Sequence, residues 1–196
     1  MDQRSHSWEV LEPVPLRTAK DISDAFIQAG VLDYRAAARF VSYLPYGRNT
    51  SVNDQLIVMR ERRGTCSTKH ALLRRLAAEQ HIDVALVLGI FEMNERNTPG
   101  VGPTLRKYKL ATLPEAHCYL RYRGNRIDVT REIDPPESMA PFLLEEDIDP
   151  EQIGDYKTTL HRQFLRQWIS EAEAASGREL HEIWRIREEC IAALSS

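Results

Sequence analysis

The sequence predicts an α+β fold in which an antiparallel sheet packs on helices. Helical spacings occupy both flanks of the chain. An apolar run rich in β-formers and a hairpin signal lie between them, separated by a long polar connection. At 196 residues and 42% hydrophobic composition the chain can bury a core without covalent staples. Residues 1–196 read as a single domain. Its core spans about 50–131, with N-terminal helices over 18–45 and a C-terminal helical segment over about 150–194.

Taken in order, residues 1–17, with Pro13 and Pro15, read as an extended arm. Ile22, Ala25, Phe26 and Ala29 space a helix over 21–29, closed by Gly30. Ala37, Phe40, Val41 and Leu44 space a second over 33–44, stopped by Pro45. Residues 46–51 are a loop. A third helix carries Leu56, Ile57 and Met59 and frays in the charged stretch 60–63. Gly64 breaks the pattern. A fourth helix starts near Thr65 or Cys66 and runs through 71–80, with Leu72, Leu73, Leu76 and Ala77 as a buried stripe. Residues 83–93 predict a central strand. The polar stretch 94–114, with Pro99, Gly100, Gly102 and Pro103, shows no period, and loops of that length often form lids or substrate rims. Strands over 116–122 and 126–130, joined by Arg123, Gly124 and Asn125, make a hairpin. Residues 131–142 are irregular. Helices follow around 161–169 and 179–194, with Gly177 between them.

Composition narrows the function. Net charge is −3, with no basic excess, which argues against a nucleic-acid module. No apolar run is long enough to span a bilayer, and the opening MDQRSHSWEV has no apolar signal region, so no membrane association and a cytoplasmic setting are expected. Three cysteines, Cys66, Cys118 and Cys190, do not make a disulfide framework.

Cys66 is the informative residue. A thiol at a helix start meets unpaired N–H groups and the positive dipole end, both of which favour thiolate, and Arg62 and Arg63 add positive potential. The plain alternative is a buried core cysteine. His117 lies where the long loop meets a strand, and the plain alternative is a surface histidine. Asp128, between Ile127 and Val129, breaks an apolar strand pattern. It falls roughly opposite Leu120 or Tyr119, a cross-strand diagonal from His117, unless it is simply an outward-facing strand residue.

Together, Cys66 within RGTCSTKHALL, the strand DVALVLGI, His117 within EAHCYLRY and Asp128 within RIDVT resemble the transglutaminase-like superfamily of papain-like thiol enzymes, over about residues 50–131. The chain departs from the family pattern at Cys118, which stands before Tyr119 where an aromatic often follows the histidine, and at Val129 within the D-P-T-like motif. The resemblance implies a papain/transglutaminase-like fold, with the sheet packed against a central helix that carries the cysteine at its N-terminus. It also implies that Cys66 is the nucleophile, His117 the general base and Asp128 the residue that orients the imidazole.

A thiol-dependent amide hydrolase or acyl transferase is expected, acting through an acyl-enzyme on a small-molecule or peptide substrate, with no cofactor and no metal. The Cys66 N–H is one oxyanion donor, and Gln55 or Asn49 supplies a second. The 94–114 loop is expected to border the Cys66 cleft. There Leu105, Tyr108 and Leu110 would form a substrate wall, while Arg106, Lys107 and Lys109 would attract a carboxylate. Several rivals stand beside this reading. His70, four residues after Cys66, is an alternative base. Cys66, His70, His117 and Cys118 are an alternative metal set, weakened because adjacent strand residues face opposite ways. Cys66 and Cys118 are an alternative redox pair. The fold could also serve as a non-catalytic binding or interaction module. Lys69 reads as a helix-surface charge, Cys118 and Cys190 as core residues, and the Trp168 and Trp184 helices as cover for the sheet.

Overall fold

The computed structural model describes residues 6–131 and 139–194. Much of the stretch expected to be irregular, 131–142, therefore lies outside the described residues. The architecture is mixed α+β, with seven α-helices and a four-stranded antiparallel sheet among the described residues. No described helix is long and apolar enough to cross a membrane.

The chain forms two compact units. The first comprises 1–88, 118–134 and 146–154, and the second 89–117, 135–145 and 155–196. In sheet order β3-β2-β1-β4, the strands are β1 (Ala85–Met93), β2 (Leu113–Tyr122), β3 (Asn125–Ile127) and β4 (Leu144–Ile148).

In the first unit, α1 (Asp21–Gln28), α2 (Tyr34–Ser42) and α3 (Ile57–Glu61) all contact α4 (Cys66–Glu79). Every residue of α4 from Cys66 to Leu73 is buried, so this helix is an interior element and not an amphipathic cover. Tyr34 is buried against it and its hydroxyl donates to the Leu73 carbonyl at 3.2 Å. The hairpin pairs Leu120 with Ile127 and Tyr122 with Asn125. Its turn is only Arg123-Gly124, both at positive φ, the primed geometry whose twist matches the strands. The three-residue connection expected there is therefore shorter. The second strand ends at Ile127 and not at Thr130, because the backbone beyond it is engaged by α4 side chains.

In the second unit, the stretch 94–114 is not structureless. It contains α5 (Gly102–Lys107), with Pro103 in its first turn, and Asn94 and Asn97 bond each other's backbone ahead of it. Helices α6 (Asp155–Glu171) and α7 (Leu180–Ala193) complete the unit. Leu105 and Leu110 are buried in a core with Leu165, Ile183 and Ile186. The Tyr108 hydroxyl donates to Glu189 at 2.7 Å. Of the side chains expected to wall a substrate, Leu105 and Leu110 lie in this hydrophobic core and Tyr108 is partly buried and anchored to α7. Gly89 is required by packing, since a Cβ there would lie 2.5 Å from the Phe142 ring.

Candidate active site

The N-terminus of α4 is set by three residues. Gly64 is pressed against the helix, and a Cβ there would meet Lys69 Cγ at 2.9 Å and Thr68 Oγ1 at 3.0 Å. Thr65 is the N-cap and accepts from the Thr68 N–H at 3.4 Å, while the Thr65 N–H donates to Thr68 Oγ1 at 3.0 Å. Cys66 is thus the first helical residue, where backbone N–H groups have no helical acceptor. It is buried, with Sγ 3.8 Å from Ser67 Oγ.

The loop before α3 braces this cap. Thr68 Oγ1 donates to Asn49 Oδ1 at 2.7 Å, and Asn49 Nδ2 donates to Glu61 Oε2 at 3.1 Å and to the Arg63 carbonyl at 3.0 Å. Both faces of the Asn49 amide are therefore committed to holding the cap. Hydrogen bonds from Thr50 hold the Glu61 carboxyl down at about 2. Gln55 lies exposed in the turn before α3. Arg62 stacks its guanidinium 4.9 Å over the Phe40 ring, and Arg63 Nε sits 3.3 Å from Glu61. The two arginines expected to charge the thiol's surroundings have these other partners.

The cation on the turn that begins at Cys66 is Lys69. It was expected at the surface but is 0% exposed. Its Nζ donates to the carbonyls of Leu44 at 2.6 Å, Thr130 at 2.8 Å and Val129 at 3.4 Å. Burying an ammonium costs several kcal/mol, and charge-assisted bonds to carbonyl oxygens offset part of that. Burial pushes its pKa down to about 8, against the pull of Asp128 and Cys66 and with help from Arg131. A signal for this burial is present in the sequence. Lys69 is spaced i, i+3, i+4 and i+7 with Leu72, Leu73 and Leu76, on the apolar stripe itself.

His70 is also fully buried. The Val129 N–H donates to its Nε2 at 2.8 Å, so Nε2 is an acceptor and the ring proton lies on Nδ1, which donates to the Cys66 carbonyl at 2.7 Å. Both ring nitrogens are used by backbone, and the ring acts as a strut from the first turn of α4 to Val129. Asp128 Oδ1 lies 3.7 Å from His70 Nε2. The rival reading of His70 as the base therefore lacks an available lone pair.

Asp128 is buried just past β3. Its Oδ1 accepts from the Thr130 N–H at 2.9 Å, which turns the chain so that the Val129 and Thr130 carbonyls reach Lys69. Ser7 Oγ clasps the residue by accepting from the Asp128 N–H at 3.0 Å and donating to its carbonyl at 2.9 Å. Cys66, Lys69, His70, Asp128 and Asn49 thus all belong to the first unit. The sequence reading missed the parts played by Lys69, Ser7 and Thr130.

His117 belongs to the second unit, on β2, buried, with its ring edge-on to Phe91 at a centroid separation of 6.0 Å. Strand alternation puts Glu115 on the same face as His117 and Cys118 on the other. Glu115 is held by Arg187 through both carboxylate oxygens. Burial opposes the charge on this carboxyl, but the Arg187 guanidinium outweighs it and holds the pKa below the ordinary range. His161 Nε2 lies 2.9 Å from the Pro114 carbonyl oxygen, and burial pushes its pKa down. Cys190 is fully buried on α7. Burial, together with Glu115 and Glu189, pushes its thiol up to about 11.

Among the described residues no group of three or more His, Cys, Asp or Glu side chains is arranged to hold a metal ion. Compared with protein-family models, curated proteins and solved structures, the chain matches none.

Proposed function

We propose that this protein is a thiol-dependent amide hydrolase or acyl transferase of the transglutaminase-like, papain-like type, with Cys66 as its nucleophile. The observation that most supports the reading is local. A cysteine is the first residue of a capped, fourteen-residue helix whose first eight residues are all buried, with a buried ammonium one turn further on. A helix N-terminus and a nearby cation are the two features that make a thiol a thiolate.

In this reading the Cys66 thiolate attacks the carbonyl carbon of an amide, ester or thioester. The oxyanion forms against the Cys66 N–H. The C–N, C–O or C–S bond then breaks, the leaving group takes a proton from the His117 imidazolium, and an acyl-enzyme remains. Water or an amine attacks it, returns a proton to His117 and restores the thiolate. The roles of His117 in proton transfer and of Asp128 in orienting the imidazole are those that the resemblance to transglutaminase-like enzymes implies.

The test is intact-mass spectrometry after incubation with a panel of p-nitrophenyl esters and alkyl thioesters. Wild type should gain one acyl group, mapped to Cys66. Cys66→Ala should gain none, and on an alkyl amide, whose amine leaves only with a proton, His117→Ala should acylate at least about a hundredfold more slowly than wild type, the usual range for a general acid–base residue. A protein that forms no adduct at Cys66 with any member of the panel is the non-catalytic interaction module instead.

A further inference from the structure

Building on the thiol-enzyme reading, we propose that Lys69 is a positioning residue for Cys66, its clamped ammonium being the fixed charge that holds the Cys66 sulfur as thiolate.

The geometry separates this role from that of a base. An ammonium has three N–H bonds, and Lys69 has three carbonyl acceptors, on Leu44, Val129 and Thr130. As the ammonium that donates to all three, Nζ carries no lone pair to take a proton from the thiol. Only its charge acts. The three carbonyls are dipoles and not anions, so they fix the ammonium in place without neutralising it. The ionisable groups that act on it are Asp128 and Cys66, which favour the charge, and Arg131, which opposes it. With its pKa at about 8, Lys69 is mostly protonated at neutral pH.

The start of the helix favours an anion nearby. The first turn of α4 holds no acidic residue, and the fourth residue of the helix is this lysine. A cation there stands at the positive end of the helix dipole, where anions are favoured. Cys66, three residues back on the same face, supplies a compensating negative charge when it ionises. Arg62 and Arg63 have their own partners in Phe40 and Glu61, which leaves Lys69 as the cation on this turn.

This arrangement differs from a thiolate made by an imidazolium partner. The charge on Lys69 is resident, so the thiolate should outlast the loss of His117, and the His117 proton is required only for the leaving group. Titrating the 240-nm thiolate absorbance of the full chain, with Cys66→Ser as the blank, reads this directly. In Lys69→Met the Cys66 midpoint should rise by about one pH unit or more, the shift expected from losing an adjacent opposite charge. Iodoacetamide labelling of Cys66 should fall about tenfold when read at least one pH unit below the wild-type midpoint. Lys69→Arg should restore part of both. His117→Ala should move the midpoint less than Lys69→Met does. A purely structural lysine would lower the melting temperature and leave the midpoint in place. If Lys69→Met does not fold, the reciprocal measurement decides. Linkage requires that Cys66→Ala lower the Lys69 pKa, read by NMR at its ε-carbon, by the amount that Lys69 lowers that of Cys66. An unchanged Lys69 pKa in Cys66→Ala overturns the proposal, as does a midpoint that moves in His117→Ala but not in the Lys69 variants. Failure of the enzyme reading shows separately, as an intact Lys69–Cys66 coupling in a protein that forms no acyl adduct.

Discussion

Cys66 and Cys190 are both buried on helices, one in each unit, and their electrostatic surroundings are opposite. Cys190 shares its surroundings with Glu115 and Glu189, and its thiol is pushed up to about 11. Cys66 heads a helix and shares its first turn with a buried ammonium. Two helix cations, Arg187 and Lys69, differ in the same way. Arg187 is gripped by the Glu115 carboxylate, so its charge is neutralised by its own partner. Lys69 is held by three carbonyls and makes its hydrogen bonds to these dipoles, with the Asp128 carboxylate acting on it from nearby. A cation paired with a carboxylate has little field left for anything else, whereas one held by dipoles still acts on its neighbours. The first arrangement builds structure, and the second leaves a charge available to chemistry.

Removing one partner from the neutralised pair should have the largest effect on stability. Arg187→Met strands the buried Glu115 carboxylate and should cost about 3–5 kcal/mol in urea denaturation. The Glu115→Gln/Arg187→Met double variant should recover more than half of that, since the buried charge goes with its partner. A double variant as unstable as the single one would show that the pair is not a closed electrostatic unit.

His70→Ala sharpens the contrast from the other unit. It orphans the Val129 N–H and opens a cavity, for a loss of about 3 kcal/mol. Because the ring is a strut, the Cys66 titration midpoint should stay in place while stability falls. A midpoint that rises with the loss of His70 would return the base role to that residue.

Acid should weaken the second unit through Glu115. Its folded pKa lies below the ordinary carboxylate value of 4.5, so its contribution is fully present above that value and is lost as pH falls through the folded pKa. Melting temperature should therefore decline more steeply in wild type than in Glu115→Gln as pH is lowered from 5. Parallel curves would mean that the carboxylate is not the titrating group. The smallest effect belongs to the cap. Thr65→Ala should cost about 1 kcal/mol in thermal melts.

Much of the fold was legible because its signals are local. Gly64, Thr65 and the run Leu72, Leu73, Leu76, Ala77 mark the start and the buried face of α4, and Arg123-Gly124 marks the hairpin. What escaped depends on tertiary partners. Lys69 sits on the apolar stripe, but a lysine reads as surface until the carbonyls that can hold it are known. The end of β3 at Ile127 follows from contacts that His70 and Lys69 make with residues 129 and 130, far away in sequence. Strand β4 is Leu-Glu-Glu-Asp-Ile, whose three acidic residues disfavour a strand by propensity, yet it forms at a sheet edge, where charged residues are common. Helix α5, with six residues, is too short to display a period. For the candidate site, the identity and helix-start position of Cys66 were readable, whereas the carbonyl cradle beside it was not.

The central claim, that Cys66 is held ready as a nucleophile, is tested most directly by the pH dependence of its alkylation by iodoacetamide, resolved by mass mapping against Cys190. The account predicts a Cys66 rate profile with its midpoint well below the ordinary thiol value of about 8.5, while Cys190 stays unlabelled in the folded protein. A Cys66 midpoint at or above that value, or labelling of Cys190 ahead of Cys66, would contradict it.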